Sequence, residues 1–553
     1  MNMKKILAML LALCMVLSLA ACGTKTETPA AEAAPAATEK APAAAAAPEA
    51  APEVKDTVII AIGDEPSTLD PTQGWGHGNT PIIQSTLVSY AADMTFQNDL
   101  ATDYSLSEDG LVWTFKIRED AYFTDGEQVT AHDVAFTLET AKAAQGSIDL
   151  TFMDSAVAAD DFTVVITLNT PTFWFMNTIS SVGIVPEHAY SDDYGTNPAV
   201  ASGAYKFVEW RHQEQLILEA NENYYGEVPA IKNVIVVFMG EDAALAAVQA
   251  GQVDAAITSA TLAVNTVPGY HIEEVATADC RGFTLPVLPA EGKTAQNGAP
   301  IGNDVTCNIE IRQAIAYALD RELIAQVALN GYATPAYSEN DGMPWNNPAV
   351  KIDTDVEKAK QLLADAGWAD TDGDGIVEKN GLKAEFTCVY PASDSARQAI
   401  LLASVELLRE VGISVIPEGL SWDEISLKMF SSAVMMGWGA SNPSETFFLY
   451  QSAGALLDDY YNPEGYMSEK TDAYLNAARQ ALNAEEAYEN FQKVQWDGET
   501  GTAMIGECPW VWIVNLDHVY FVRDGLSIGQ QYVHPHGSNF PFLQNIHEWT
   551  WGN

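Results

Sequence analysis

Three carboxylates stand at alternate positions in Asp370-Thr371-Asp372-Gly373-Asp374-Gly375. Oxygen ligands at this spacing, with a glycine for a sharp turn, open a calcium loop of the EF-hand kind. The twelfth position is Gly381 rather than Glu, so the bidentate ligand is missing and Glu378 replaces it only in part. Asp370, Asp372 and Asp374 are therefore weak metal candidates, and a tight acidic turn between a helix and a strand is the plainer expectation. Among nine histidines, His534 and His536 are the close pair, with His518 and His547 near them. Paired imidazoles suit nickel, copper or zinc; surface loops are the plainer reading, and no cofactor is expected. Catalytic patterns fail: the chain holds neither Gly-x-Ser-x-Gly nor His-Glu-x-x-His. Gly292-Lys293-Thr294 hints at a phosphate loop, but Val287 occupies the first glycine position. An enzyme is not expected.

The strongest ligand candidate is Trp438 to Pro443. A strand over Val434–Trp438 runs into Gly437-Trp438-Gly439 and delivers a large aromatic and flexible backbone to a loop. Such a loop stacks on a ligand and offers amides to it; a Trp that only fills the core is the competing reading. Tyr460, Tyr461, Trp75 and Trp174 are further aromatic candidates, and His77 lies in the expected loop Gly74-Trp75-Gly76-His77-Gly78.

Cys22 carries a different chemistry. Lys4 and Lys5 precede an apolar run from Ile6 to Val16, and Leu19-Ala20-Ala21 leads directly to Cys22. A basic start, a short apolar run and small residues read as a secretory signal over residues 1–21. Leu-Ala-Ala-Cys resembles the bacterial lipobox, which implies that the Cys22 thiol is acylated and becomes the new N-terminus. Each buried CH₂ contributes about 0.8 kcal/mol, so several chains on one residue make a stable anchor. Residues 22–55 are almost all Ala, Pro, Glu, Thr and Lys and have little to bury, so they are expected to form a disordered, proline-stiffened spacer. The body is expected outside the cell, tethered to the outer face of the membrane.

The chain has 553 residues, room for more than one core, and a hydrophobic content of 48% fits a globular body. Removing residues 1–21 takes away two lysines and no acid, leaving 25 basic against 75 acidic residues, a charge of −50. That excludes nucleic acid as a partner and argues against adhesion to anionic lipid. Cys280, Cys307, Cys388 and Cys508 lack zinc spacing; export permits a disulfide, with Cys280–Cys307 closest in sequence and three full connectivities open.

Elements that position these residues alternate along the chain. Val58–Ile62 reads as a buried strand, Val112–Ile117 as a half-buried one, and Thr130 to Asp133 as the cap of a helix. Ile352 to Asp355 leads into a helix around Ala359, Leu362 and Leu363, with Thr354 or Asp355 as its cap. Ser395–Leu408 reads as a helix between strands at Phe386 and Ile413–Val415. Short apolar strands alternating with amphipathic helices make an α/β architecture.

Several segments taken together resemble the family 5 solute-binding proteins, the extracellular receptors of ATP-driven importers for peptides, nickel and related solutes. They are Pro66–Pro71, Ser107–Arg118, Phe123–Gly126, Thr130–Phe136, Ser202–Trp210, Asn221–Gly226, Ala244–Asp254, Ile311–Arg321, Ala359–Trp368 and Gly437–Pro443. The resemblance implies two lobes joined by a hinge, a cleft between them and an extra inserted domain. The boundaries expected are lobe I over 56–88, 200–280 and 508–553, the insert over 89–199, and lobe II over 281–507. Ile311–Arg321 is expected as one helix whose ion pairs are structural.

In peptide-binding relatives an Asp shortly after the Trp takes the ligand's amino terminus. Here Ser441 stands there, followed by Asn442, and a neutral group forms no charge-assisted bond. The expected function is a lipid-anchored receptor that captures an oligopeptide or dipeptide and passes it to a membrane permease. Trp438, Ser441, Asn442, Tyr461, Trp75 and His77 are the expected ligand contacts. A receptor for a nickel-type metal chelate is the alternative; an exported hydrolase and a surface adhesin are more distant.

Overall fold

The computed structural model describes residues 55–76, 81–537 and 540–552. The expected signal peptide, Cys22, the spacer through residue 54 and His77 lie outside the described residues.

Three sheets organise the body. The apolar run at 58–62 forms the strand Thr57–Ile62, with parallel neighbours Asn233–Phe238 and Ala255–Thr258 on its two sides. A strand covered on both faces needs an unbroken apolar run, so it shows no alternation. It is the centre of a seven-stranded mixed sheet that runs Tyr270–Val275, His518–Arg523, Ala255–Thr258, Thr57–Ile62, Asn233–Phe238, Gln215–Ala220, Tyr205–Arg211. Tyr520 stacks on Phe542 at 3.8 Å beneath this sheet, and Trp549 meets the same Phe542 edge-on.

A six-stranded sheet runs Ala333–Pro335, Trp510–Leu516, Cys280–Thr284, Ala433–Trp438, Glu385–Pro391, Ser414–Leu420. An antiparallel four-stranded sheet between residues 101 and 168 carries the helix Ala131–Ala144. Asp133 accepts from the Thr130 amide at 2.9 Å and so closes that helix start as its spacing predicts. Asp355 likewise caps Val356–Asp365 through the Lys358 amide at 2.8 Å.

The chain crosses from the first sheet to the second between Val275 and Cys280, and returns between Leu516 and His518. Between the crossings Thr277–Ala278 pairs with His534–Pro535. Few strands of chain joining two sheeted bodies is the layout of a hinge.

Three expectations differ in detail. Trp510–Leu516, expected with the first lobe, pairs with Cys280–Thr284 in the second sheet, and Cys280 itself already belongs there. Both late apolar runs are buried strands, so hydropathy alone does not assign them to a sheet. The single helix expected over Ile311–Arg321 is two, Ile309–Ala318 and Arg321–Leu329, broken at Leu319-Asp320. Among the described residues its arginines hydrogen-bond to backbone carbonyls rather than forming ion pairs. Buried Arg312 donates to the Cys508 carbonyl at 3.0 Å and the Glu507 carbonyl at 2.7 Å, and buried Arg321 to Trp512 at 2.9 Å and Ala336 at 3.1 Å. Lastly, Cys280, Cys307, Cys388 and Cys508 are all free thiols.

Candidate functional site

A cavity of about 660 Å³ opens where the three sheeted bodies meet. The insert contributes Tyr90, Lys142, residues 145–151, Trp174 and Asn177; the second lobe contributes 440–442, Glu445, Asp459 and Tyr461. The C-terminal segment adds Tyr532, Val533 and Pro535. A concave site with aromatic walls and a few convergent polar groups is the usual form of a small-ligand site.

Of the residues singled out from the sequence, Ser441, Asn442, Tyr461 and Trp174 line this cavity. Trp438 does not. Its ring lies behind Tyr461, stacked at 4.4 Å and 13° between planes, and its indole N–H donates to the Tyr460 carbonyl at 3.3 Å. Tyr461 is thus the wall and Trp438 its backing. Trp75 is buried in the first lobe's core, edge-on to Phe540 at 5.0 Å, and is not part of the cavity wall.

The glycines around Trp438 supply close approach rather than freedom. At Gly439, φ is +150° and a Cβ would fall 1.4 Å from the Ala278 carbonyl oxygen. At Gly437 a Cβ would strike the Arg281 guanidinium at 2.1 Å. The loop therefore lies directly on the hinge segment, held also by the His536 amide donating to the Gly439 carbonyl at 2.8 Å.

Glu445 is the wall residue that sequence reasoning missed. It sits in the first turn of the helix Ser444–Tyr450, where an acid ordinarily reads as a partner of the helix dipole. Its Oε1 is shielded from solvent and has no hydrogen-bond partner among the described residues. Burial, with the charge of Glu339 adding, pushes its carboxyl up to about 8, and the Gly439 amide offsets only part of this. An unpartnered carboxyl in a cavity wall suits a cationic or hydrogen-bond-donating group on a ligand. Asp459 on the same side is raised as well, by partial burial of its carboxyl.

The histidines form a different cluster, at the hinge. Asp279 is buried, with Arg281 Nη1 at 2.6 Å, His536 Nδ1 at 2.7 Å and His518 Nε2 at 3.2 Å. His534 is buried beside His518, their Nδ1 atoms 3.2 Å apart. Burial alone would raise the Asp279 carboxyl, but Arg281 and His536 outweigh it and hold it well below the usual range. Burial lowers His536 to about 4. A guanidinium already matched to the carboxylate makes this a poor cation site, and of the pair His534 is buried and His536 largely so, rather than both lying on open surface loops.

Asp370, Asp372 and Asp374 do converge, with ligand oxygens within 4.8 Å, in an exposed turn between a helix and a hairpin. Their charge is already answered. Lys383 contacts Asp372 at 2.9 Å and also Asp374, and Asp370 accepts from the Gly373 amide at 2.7 Å and the Gly375 amide at 3.0 Å. Glu378 accepts from the Thr371 amide at 2.8 Å.

The sequence was compared with known proteins. Residues 95–456 match the family model described as bacterial extracellular solute-binding proteins, family 5. Protein XP55 of Streptomyces lividans is 29% identical over 492 residues, 85% of this chain and 86% of that protein. The oligopeptide-binding protein AppA of Bacillus subtilis is 26% identical, over 79% of this chain and 83% of its own. The crystal structure of NikZ from Campylobacter jejuni in complex with Ni(L-His) superposes with a TM-score of 0.76 at 25% identity, over 90% of this chain and 99% of that one. Among the described residues no helix is long and apolar enough to cross a membrane. With the family match spanning well over half the chain and a two-lobed fold to go with it, this chain belongs to the family 5 bacterial extracellular solute-binding proteins.

Proposed function

We propose that this chain is the receptor of an ATP-driven importer, held on the outer face of the cell membrane by acyl chains on Cys22. It captures a small solute between its lobes, foremost an oligopeptide or dipeptide, and hands it unchanged to the membrane permease. The observation that carries this reading is the cavity itself, about 660 Å³, to which insert, second lobe and C-terminal segment all contribute. Closure of such a cleft needs ligand contacts on more than one body, so that binding shifts the hinge toward the closed state. In this reading lobe I comprises 56–88, 200–275 and 518–552, the insert 89–199, and lobe II 280–516. Tyr461, Ser441, Asn442 and Glu445 contact the solute from lobe II. The likeness to AppA supports a peptide.

The second reading, a metal chelate, is favoured by the likeness to NikZ. Among the described residues no histidine lines the cavity. Thermal unfolding against a panel of short peptides and nickel–histidine chelates tests the two. A peptide that raises Tm and is recovered with its mass unchanged supports the proposal. A shift with chelates alone favours the second reading, and cleavage of the peptide would overturn both.

A further inference from the structure

A second chamber of about 280 Å³ adjoins the main cavity. The two share Tyr90, Met94, Asn177 and Ser441, which form the neck between them. Asn177 Nδ2 donates to the Ser441 carbonyl at 3.5 Å, so the neck is bridged from insert to second lobe. The chambers differ in the charged groups that line them. Lys142, Asp149, Glu445 and Asp459 line the main one. The side chamber is lined by Phe96, Leu106, Trp113, Met176, Trp345 and Tyr488, among others, and no carboxylate, amine, guanidinium or imidazole reaches it among the described residues. Its walls are built as aromatic pairs: Tyr90 on Phe96 at 4.7 Å and Trp345 with Tyr488 at 5.9 Å. At the neck the Tyr90 hydroxyl is shielded from solvent and has no partner among the described residues.

We infer that the solute is bipartite, with a polar or cationic part in the main cavity and an aromatic or large aliphatic arm in the side chamber. This rests on the receptor reading above and names the ligand class within it. A dry cavity of about 150 Å³ is enough to hold a benzene, so the side chamber admits a whole ring. Water in an aromatic-walled chamber finds few partners, and an apolar arm that displaces it gains about 1.5–3 kcal/mol, or tenfold and more in affinity. The Tyr90 hydroxyl at the neck suits a carbonyl or amide where the arm branches from the backbone of the solute.

The test compares Ala-Ala-Ala with Ala-Phe-Ala by calorimetry, and identifies by mass spectrometry whatever solute co-purifies from the native cells. Two fills of the side chamber, Leu106→Trp and Leu482→Trp, come from different parts of its wall. The wild-type chain is expected to prefer the Phe peptide about tenfold or more, or to retain a cell-derived solute with an aromatic or large aliphatic group. Either fill is expected to remove that preference while the thermal transition without ligand and the affinity for Ala-Ala-Ala hold. Equal affinity for the two peptides together with a retained solute lacking such an arm overturns the inference, as does a preference untouched by both fills; the receptor reading survives either result. If the wild-type chain holds neither peptide nor any cell-derived solute, the receptor reading itself falls, and the inference with it.

Discussion

Two carboxylates a short way apart in this fold meet opposite fates. Asp279, in the hinge, is surrounded by Arg281, His518 and His536 and stays ionised far below the usual range. Glu445, in the cavity wall, has one oxygen without a partner and is pushed up to about 8. The underlying cost of burial is the same. Fixed charges answer it at the hinge, where the two crossings and the Gly439 loop converge. In the wall the Gly439 amide answers it only in part, and among the described residues one oxygen is left without a partner for a ligand to complete. At these two carboxylates the matched one holds the hinge together and the unmatched one faces the cavity.

The contrast breaks most visibly at Asp279. Asp279→Asn leaves Arg281 buried without its partner, a loss of about 3–5 kcal/mol by the usual cost of breaking a buried pair. Chemical denaturation is expected to show it; a loss under about 1 kcal/mol would mean that water already relaxes the cluster. On the cavity side, Tyr461→Ala is expected to weaken ligand by about 2–3 kcal/mol in calorimetry while the unfolding midpoint moves little, since the change removes a wall and opens no sealed core.

Glu445 sharpens the comparison through pH. Between about pH 4.5 and 8 the folded chain keeps a proton that the unfolded chain has released, so ligand-free stability falls as pH rises, by up to ~1.4 kcal/mol per unit for this group. Glu339, raised by burial to about 7, acts in the same direction over a narrower range. Glu445→Gln is expected to flatten the slope of Tm against pH. Affinity for a cationic probe is expected to rise as pH passes through 8 in the wild-type chain and to stay level in Glu445→Gln. The smallest effect is expected at Trp438→Phe, where a stacked pair is kept but reduced: about 0.5–1.5 kcal/mol in binding, expressed through Tyr461.

Much of the fold was legible because apolar runs and capping residues act locally: Val58–Ile62, Asp133 and Asp355 all did what their spacing predicts. The sheet joined by Trp510–Leu516 was not legible, since two consecutive buried strands read alike and only tertiary pairing separates them. At the site, Ser441 and Asn442 were singled out by their place in the family pattern and Tyr461 as a nearby aromatic, and all three line the cavity. Trp438, expected beside Tyr461 as a ligand contact, lies behind it, because stacking order is set by residues 23 positions apart in sequence. Glu445 escaped notice because an acid opening a helix has an ordinary explanation, and its lack of a partner exists only in three dimensions. Gly437 and Gly439 suggested flexible backbone, whereas each is a point of contact with the hinge.

The most direct test is native mass spectrometry of the full chain purified from its own cells, wild type beside Tyr461→Ala. One small solute per wild-type chain, released with its mass unchanged and absent from the variant, is the predicted result. A solute retained equally by the variant, or one converted to another mass on standing with the protein, would contradict the account.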